Sequence, residues 1–397
     1  MTKIFKLAIL AVIILASNLA QAAALSESVN SFSWKYFKTL NRDENIFYSP
    51  YSIAAALSLV ANGATGETQR EILDALNADC LENLNDGFQN FRADAEKVYT
   101  GENILRDANL ILVSKNFLGS GINPAFRNTA ENVFGSEIRA ADFRGDLAGE
   151  KKKITAWVDK VTNHFLQNYQ SSATSATVVD LLNVVYFKGK WSSPFEIHAT
   201  TEKIFTSKDG STTSVKMMRQ VFEDEIPYAE NENFKGIALP YKNSSAVMYV
   251  ILPKDETALN IADTFDENFI AQIEAAPYFE GKVSVWLPKF ELDIKNNLVE
   301  DLQAIGITRA FSNAAEFSKI VEKVRLKIDS ATHQAKVKVD ESGTEAAAVT
   351  EFSLRTTSAI PRPKPRVEFH ADRPFIFVIR DVKTGVDLFA GAVNALK

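Results

Sequence analysis

The chain has 397 residues, 46% hydrophobic and 24% charged, ordinary values that exclude a disordered or collagen-like protein. Its 44 Lys plus Arg and 50 Asp plus Glu leave a formal net charge of −6, so there is no global basic field and nucleic acid is not an expected partner. Cys80 is the only cysteine; no internal disulfide can form, and stability has to come from the core.

The N-terminus reads as a targeting segment. Lys3 and Lys6 precede an apolar run over residues 7–16, and Ala20-Gln21-Ala22 supplies a small-x-small cleavage pattern. The run is too short to span a bilayer. A signal peptide over residues 1–22, secretion and an extracellular location without a membrane partner are therefore expected. No linker or repeat divides residues 23–397, which points to one domain.

Helices come first. Val29, Phe32, Tyr36, Phe37 and Leu40 share a helical face. Ser49-Pro50 is a cap with a first-turn proline, opening a helix over 51–62. Thr68 and Glu71 have the spacing of a capping box. A further helix is expected over 153–168, with Ile154, Trp157, Val158, Val161 and Phe165 on its apolar face. Lys151-Lys152-Lys153 reads as a solvated face, so a glycosaminoglycan partner is not expected. Strand candidates follow at 108–114, 184–187, 247–252, 282–286, 337–339, 375–379 and 388–393. Helices before strands argue for an α+β fold. Asn243-Ser244-Ser245 is a glycosylation acceptor pattern.

Enzyme chemistry finds little support. There is no phosphate loop, dinucleotide fingerprint, zinc-protease motif or Gly-x-Ser-x-Gly elbow. His164, His198, His333 and His370 are dispersed, without metal-site spacing. The expectation is no catalytic residue, no metal and no cofactor.

Residues 340–366 read neither as core nor as an ordinary loop. Drawn as a strand, Thr344, Ala346, Ala348, Thr350, Phe352 and Leu354 form one face, uncharged and small at its start. Glu345, Ala347, Val349, Glu351, Ser353 and Arg355 form the other, polar face. Gly343 could hinge the backbone. The same residues also suit a helix through the alanines or a plain tether, and the pattern alone does not choose.

These residues resemble the serpin family. Glu341-Ser342-Gly343-Thr344-Glu345-Ala346-Ala347-Ala348 is similar to its inhibitory hinge. Further family patterns are Asn45-Ile46-Phe47-Tyr48-Ser49-Pro50, Gly63-Ala64-Thr65-Gly66-Glu67-Thr68 and the run from Asn183 to Trp191. Leu239-Pro240-Tyr241, Leu287-Pro288-Lys289-Phe290, the run from Asp372 to Phe377 and Leu388-Phe389-Ala390-Gly391 also fit. The resemblance implies one domain of three β-sheets and eight to nine helices, with an exposed reactive-centre loop within residues 341–366. It implies a monomeric serine protease inhibitor whose cleaved loop enters the central sheet; a carrier, storage or chaperone-like relative is the alternative.

By the same resemblance, Glu341, Gly343, Thr344, Glu345, Ala346, Ala347, Ala348, Val349 and Thr350 form the hinge, with Val349 departing from the usual small residue. Trp191 and His333 match the end of the central sheet where insertion begins, and Ser52 and Asn183 the region through which it opens. The 154–165 helix resembles the one lying across that sheet. Counting sixteen residues on from Glu341 sets the cut between Thr357 and Ser358. Counting back from Phe369 sets it near Ile360 and Pro361. Arg355 and Thr356 are alternatives, so trypsin-like and elastase-like proteases both stay open as partners.

Overall fold

A computed structural model describes residues 21–40, 43–117, 121–167, 169–254, 267–322, 324–344 and 364–397. Among these, eight α-helices and sixteen strands form an α+β fold with three sheets.

Helix α1 covers residues 21–37 and buries Val29, Phe32, Tyr36 and Phe37. Helix α2 (Pro50–Gly63) begins as the sequence dictates: Ser49 Oγ accepts from Ser52 N at 3.2 Å, and Pro50 occupies the first turn. The expected capping box at Thr68 and Glu71 is absent. Helix α3 (Gly66–Ala75) starts before Thr68. Thr68 is buried and its Oγ1 accepts from Glu316 N; the Glu71 carboxylate instead takes the backbone N–H groups of Thr308 and Arg309. A non-local demand for acceptors has outcompeted the local motif.

Helices α4 (Leu81–Val98) and α5 (Pro124–Asn132) follow, then α6 (Leu147–Val161). The last is displaced from the expected 153–168. Asp146 accepts from Gly149 N and starts it early, while Asn163 and His164 take positive φ (51° and 64°) and stop it. Helices α7 (Glu267–Ala275) and α8 (Val299–Ala304) complete the set. No described helix is long and apolar enough to cross a membrane.

One sheet has the order β1 (Ile46–Tyr48), β16 (Asp387–Val393), β15 (Phe375–Asp381), β9 (Ala246–Pro253), β8 (Phe234–Pro240), β7 (Tyr228–Glu230). Every residue of β9, β15 and β16 is buried, as the apolar runs required. A four-stranded sheet has the order β14 (Arg366–His370), β10 (Lys282–Pro288), β6 (Thr212–Glu223), β5 (Thr201–Thr206). The central sheet has the order β11 (Phe290–Asn297), β12 (Ala331–Asp340), β13 (Gly343–Thr344), β4 (Val179–Lys190), β2 (Ile104–Ser114), β3 (Ser136–Ala141). Ile154, Trp157 and Val158 of α6 pack on Leu110, Leu112, Leu182 and Val184, so α6 lies against the central sheet at β2 and β4.

Candidate functional site

The central sheet holds an unusual join. Strands β12 and β4 run parallel, but they pair only at Ala331, Thr332 and His333 with Leu181, Leu182 and Asn183. At the other end β13 is wedged between them. Gly343 pairs with Asp340 and Lys190, and Thr344 with Val339 and Gly189. Between these points, β12 is held by β11 and β4 by β2, and no described strand joins their facing edges.

The wedge is built from a tight turn. Asp340 Oδ1 accepts from Ser342 N and Oγ, both at 2.9 Å. Gly343 has φ of +150°, and a Cβ there would stand 2.0 Å from Gly189 O, so only glycine fits. Thr344 is buried, its Oγ1 2.7 Å from Tyr241 Oη. Tyr241 is buried too; burial pushes its hydroxyl well above the ordinary range, so it stays protonated. Trp191 stacks on Tyr241 with ring centres 4.6 Å apart, and its Nε1 donates to Asp340 O at 3.0 Å. Backbone donors Trp191 N and Phe195 N bind Ser342 O and Glu341 O.

Glu341 is buried beside this turn. Lys289 Nζ lies 2.6 Å from its carboxylate and Thr200 Oγ1 donates at 2.8 Å. Burial pushes the Glu341 carboxyl up, but the Lys289 ammonium and the Thr200 hydroxyl outweigh it and hold it below its ordinary value. Thr344 and Glu341 therefore have specific seats. Sequence reasoning assigned no role to Tyr241 or Lys289. Both stand in motifs it quoted, which was the only signal available.

The three-pair ladder is the second centre. His333 is buried, and its Nε2 accepts from Ser49 N at 3.0 Å. Burial pulls the imidazole down to about 4, so it is neutral at pH 7. With Nε2 accepting, the ring proton sits on Nδ1, which has no hydrogen-bond partner. Asn183 faces His333 in register and donates to Asn109 Oδ1 at 2.7 Å. Ser52 Oγ, in the first turn of α2, is buried without a hydrogen-bond partner, as is Asn183 Oδ1. A small cavity of about 50 Å³ lies here, lined by Ile53, Val60, Leu181, Asn183, Leu302 and His333.

This corrects the sequence grouping of His333 with Trp191. Because β12 runs parallel to β4, His333 near its start meets Asn183, and only its far end reaches Gly343 and Thr344 beside Trp191. Ser52, Asn183 and His333 come together; Trp191 sits apart with Gly343 and Thr344.

The chain that follows residue 363 is anchored separately. Lys364 forms ion pairs with Asp224 and, at 3.2 Å, Glu223. Lys282 N donates to Pro365 O, and β14 continues parallel to β10. Glu345, Ala346, Ala347, Ala348, Val349, Thr350, Arg355, Thr356, Thr357, Ser358, Ile360 and Pro361 lie outside the described residues, as does the 1–20 part of the signal segment. Asn243 is exposed with φ of +60° in the turn before β9, and Ser245 is buried. Among the described residues no three His, Cys, Asp or Glu side chains gather as a metal site.

Residues 27–396 match the family model Serpin (serine protease inhibitor), and the chain belongs to that family, one of protease inhibitors, not enzymes. An uncharacterised serpin-like protein of Thermococcus kodakarensis is 31% identical, covering 94% of this chain and 85% of its own. The thermophilic serpin tengpin in its native state is 29% identical with a TM-score of 0.83, covering 94% of each chain. Human thyroxine-binding globulin, solved in complex with thyroxine, is 25% identical with a TM-score of 0.84, covering 94% of this chain and 99% of its own.

Proposed function

We propose that this protein is an extracellular serine protease inhibitor consumed in its own reaction. The supporting observation is the wedge: Gly343 and Thr344 already sit between β12 and β4, and beyond them only three residue pairs join those strands. An incoming strand that continues from Thr344 would run along two edges that no described strand pairs, and could take up their backbone hydrogen bonds. The secretion pattern at the N-terminus supports the extracellular location.

The chemistry is acyl transfer interrupted halfway. The protease serine attacks the carbonyl of Thr357, its proton passing by way of the enzyme's base to the departing amine of Ser358. Water would normally release the acyl-enzyme. Here residues 344–357, extending about 45 Å at roughly 3.3 Å each, enter the sheet and carry the attached protease away before water acts. The inhibitor side needs no metal or cofactor for this. Release on the C-terminal side leaves β14 anchored through Lys364. Ser52, Asn183 and His333 would control separation of the three-pair ladder. The helix α6, packed on β2 and β4, would have to shift.

A carrier role is the second reading, favoured by the thyroxine complex of a relative. Incubation of the mature protein with trypsin-like and elastase-like proteases, read by denaturing gel and mass spectrometry, separates the two. A denaturation-resistant adduct plus a released peptide beginning at Ser358 is expected; a peptide beginning at Thr356 would move the cut to Arg355. Complete loop cleavage across the panel with no adduct would falsify the inhibitor reading.

A further inference from the structure

The end of β4 is held from two sides, and only the wedge side has been given a role so far. The β2–β4 ladder stops at Ile104 and Lys188, while β4 runs on through Gly189 and Lys190. Successive peptide groups there face opposite ways, as in any strand. Trp191 N donates to Ser342 O at 3.0 Å, on the wedge side. Lys190 N points the other way, past the end of the ladder. The Asn103 side chain stands in for the missing strand: its Oδ1 accepts from Lys190 N at 3.0 Å.

The same amide reaches a second wall. Asn103 Nδ2 donates to Lys242 O and, at 2.9 Å, to Ser245 Oγ. Both residues belong to the turn that begins with Tyr241, whose hydroxyl seats Thr344. Asn103 is fully buried, and with both donors and its acceptor engaged the amide has one orientation. An aliphatic side chain at this position would remove all three bonds from buried groups. Glu102 ties the same two residues from outside, through Lys190 Nζ at 2.6 Å and Lys242 Nζ at 3.1 Å; that grip is exposed and contributes little. The base of the loop is fixed elsewhere. Tyr99 Oη donates to Asp381 Oδ2 at 2.7 Å, at the end of β15. Both walls of the Thr344 seat are thus referenced to the sheet that contains β9, β15 and β16.

We propose that Asn103 is a positioning residue for strand insertion: its amide holds the end of β4 and the Tyr241 turn at the spacing that receives Gly343 and Thr344. It touches neither of those residues and acts through Lys190 and Lys242. With the spacing fixed, the first two residues of the incoming strand are already paired, and insertion only has to propagate. Without it, the edge that they pair with is loose, and hydrolysis gains time. This deepens the inhibitor reading and rests on it.

The test reads the seat apart from global stability. Amide exchange of the uncleaved protein and the number of inhibitors consumed per protease are measured for the parent and three variants. These are Asn103→Ala, the milder Asn103→Ser, and Phe88→Leu, which trims a buried side chain of α4 that packs on Tyr51 and Phe134, not on the seat. The protease is a member of the trypsin-like and elastase-like panel that the parent traps. In Asn103→Ala the Lys190 and Trp191 amides should exchange about tenfold faster relative to those of β9. Its protein requirement should rise about fivefold, and that of Asn103→Ser about twofold. Phe88→Leu should lower the melting temperature and leave the requirement as in the parent. Where Asn103→Ala fails to fold, Asn103→Ser decides by the same two readings. Parent-like protection at Trp191, or a requirement that rises equally in the Asn103 variants and Phe88→Leu, overturns the positioning role and leaves the inhibitor reading intact. A parent cleaved by the whole panel without an adduct removes the inhibitor reading, and the positioning role with it.

Discussion

The two six-stranded sheets of this protein are built to opposite ends. In the sheet from β1 to β7, every neighbouring pair of strands is antiparallel, with a register shift at Ile379/Arg380 between β15 and β16, and the three strands β9, β15 and β16 are buried throughout. Such a layer has no alternative arrangement within reach. The central sheet keeps β12 and β4 joined at three pairs and held apart by two residues of another segment. The first sheet is closed by its pairing, and in the second no described strand pairs the facing edges of β12 and β4 between those points.

The largest way to break that contrast is Thr344→Arg. The seat beside Tyr241 is buried, and an unpaired guanidinium there costs several kcal/mol. Since each 1.4 kcal/mol added to a barrier slows a step about tenfold, insertion should lose to hydrolysis. Titration should need more than about ten inhibitors per protease instead of nearly one. An unchanged stoichiometry would show that trapping does not proceed through this seat.

Acid should act on the ladder next. His333 titrates near 4 when folded against an ordinary 6.5. Its folded value is depressed, so its contribution to stability is fully present above 6.5 and is lost as pH falls towards 4, about 3 kcal/mol in all. Asp107 and Asp180 oppose it: burial pushes both up to about 6, so what they contribute is present below 4 and is lost as pH rises through 6. His333→Leu should lower the melting temperature at pH 7, because it removes the acceptor for Ser49 N. Between pH 6.5 and 5 the variant should then hold steady or gain while the parent declines. Parallel curves for the two proteins would assign the acid response elsewhere.

Tyr241→Phe should be the gentlest. It removes one neutral hydrogen bond and keeps the stack on Trp191, so about 1 kcal/mol should go, a few degrees of melting temperature at most. Protein requirement per protease should rise by less than about threefold. A collapse of inhibition would make the hydroxyl far more central than its single contact indicates.

What could be foreseen from the residues was local. Ser49-Pro50 fixed the start of α2 because a cap is a contact between near neighbours. Gly343 was legible as a place where the backbone could turn, and the structure gives it φ of +150°. The family patterns brought the three-sheet fold. What could not be foreseen was who meets whom at long range. Thr344 finds Tyr241 and Glu341 finds Lys289 only after the chain has folded back on itself. Strand direction has no signature in side chains, which is why His333 was set beside Trp191 and not beside Asn183. Thr68 and Glu71 show the converse error, a valid local pattern overruled by partners near Glu316 and Thr308.

The open edges between β12 and β4 also change what durability means for this molecule. Under the proposed insertion, the starting fold is preserved by slowness, not by being the lowest state. Its useful quantity is a lifetime. Two preparations with identical composition and mass can then differ in how much working protein they hold, according to how long and how warm each has been kept.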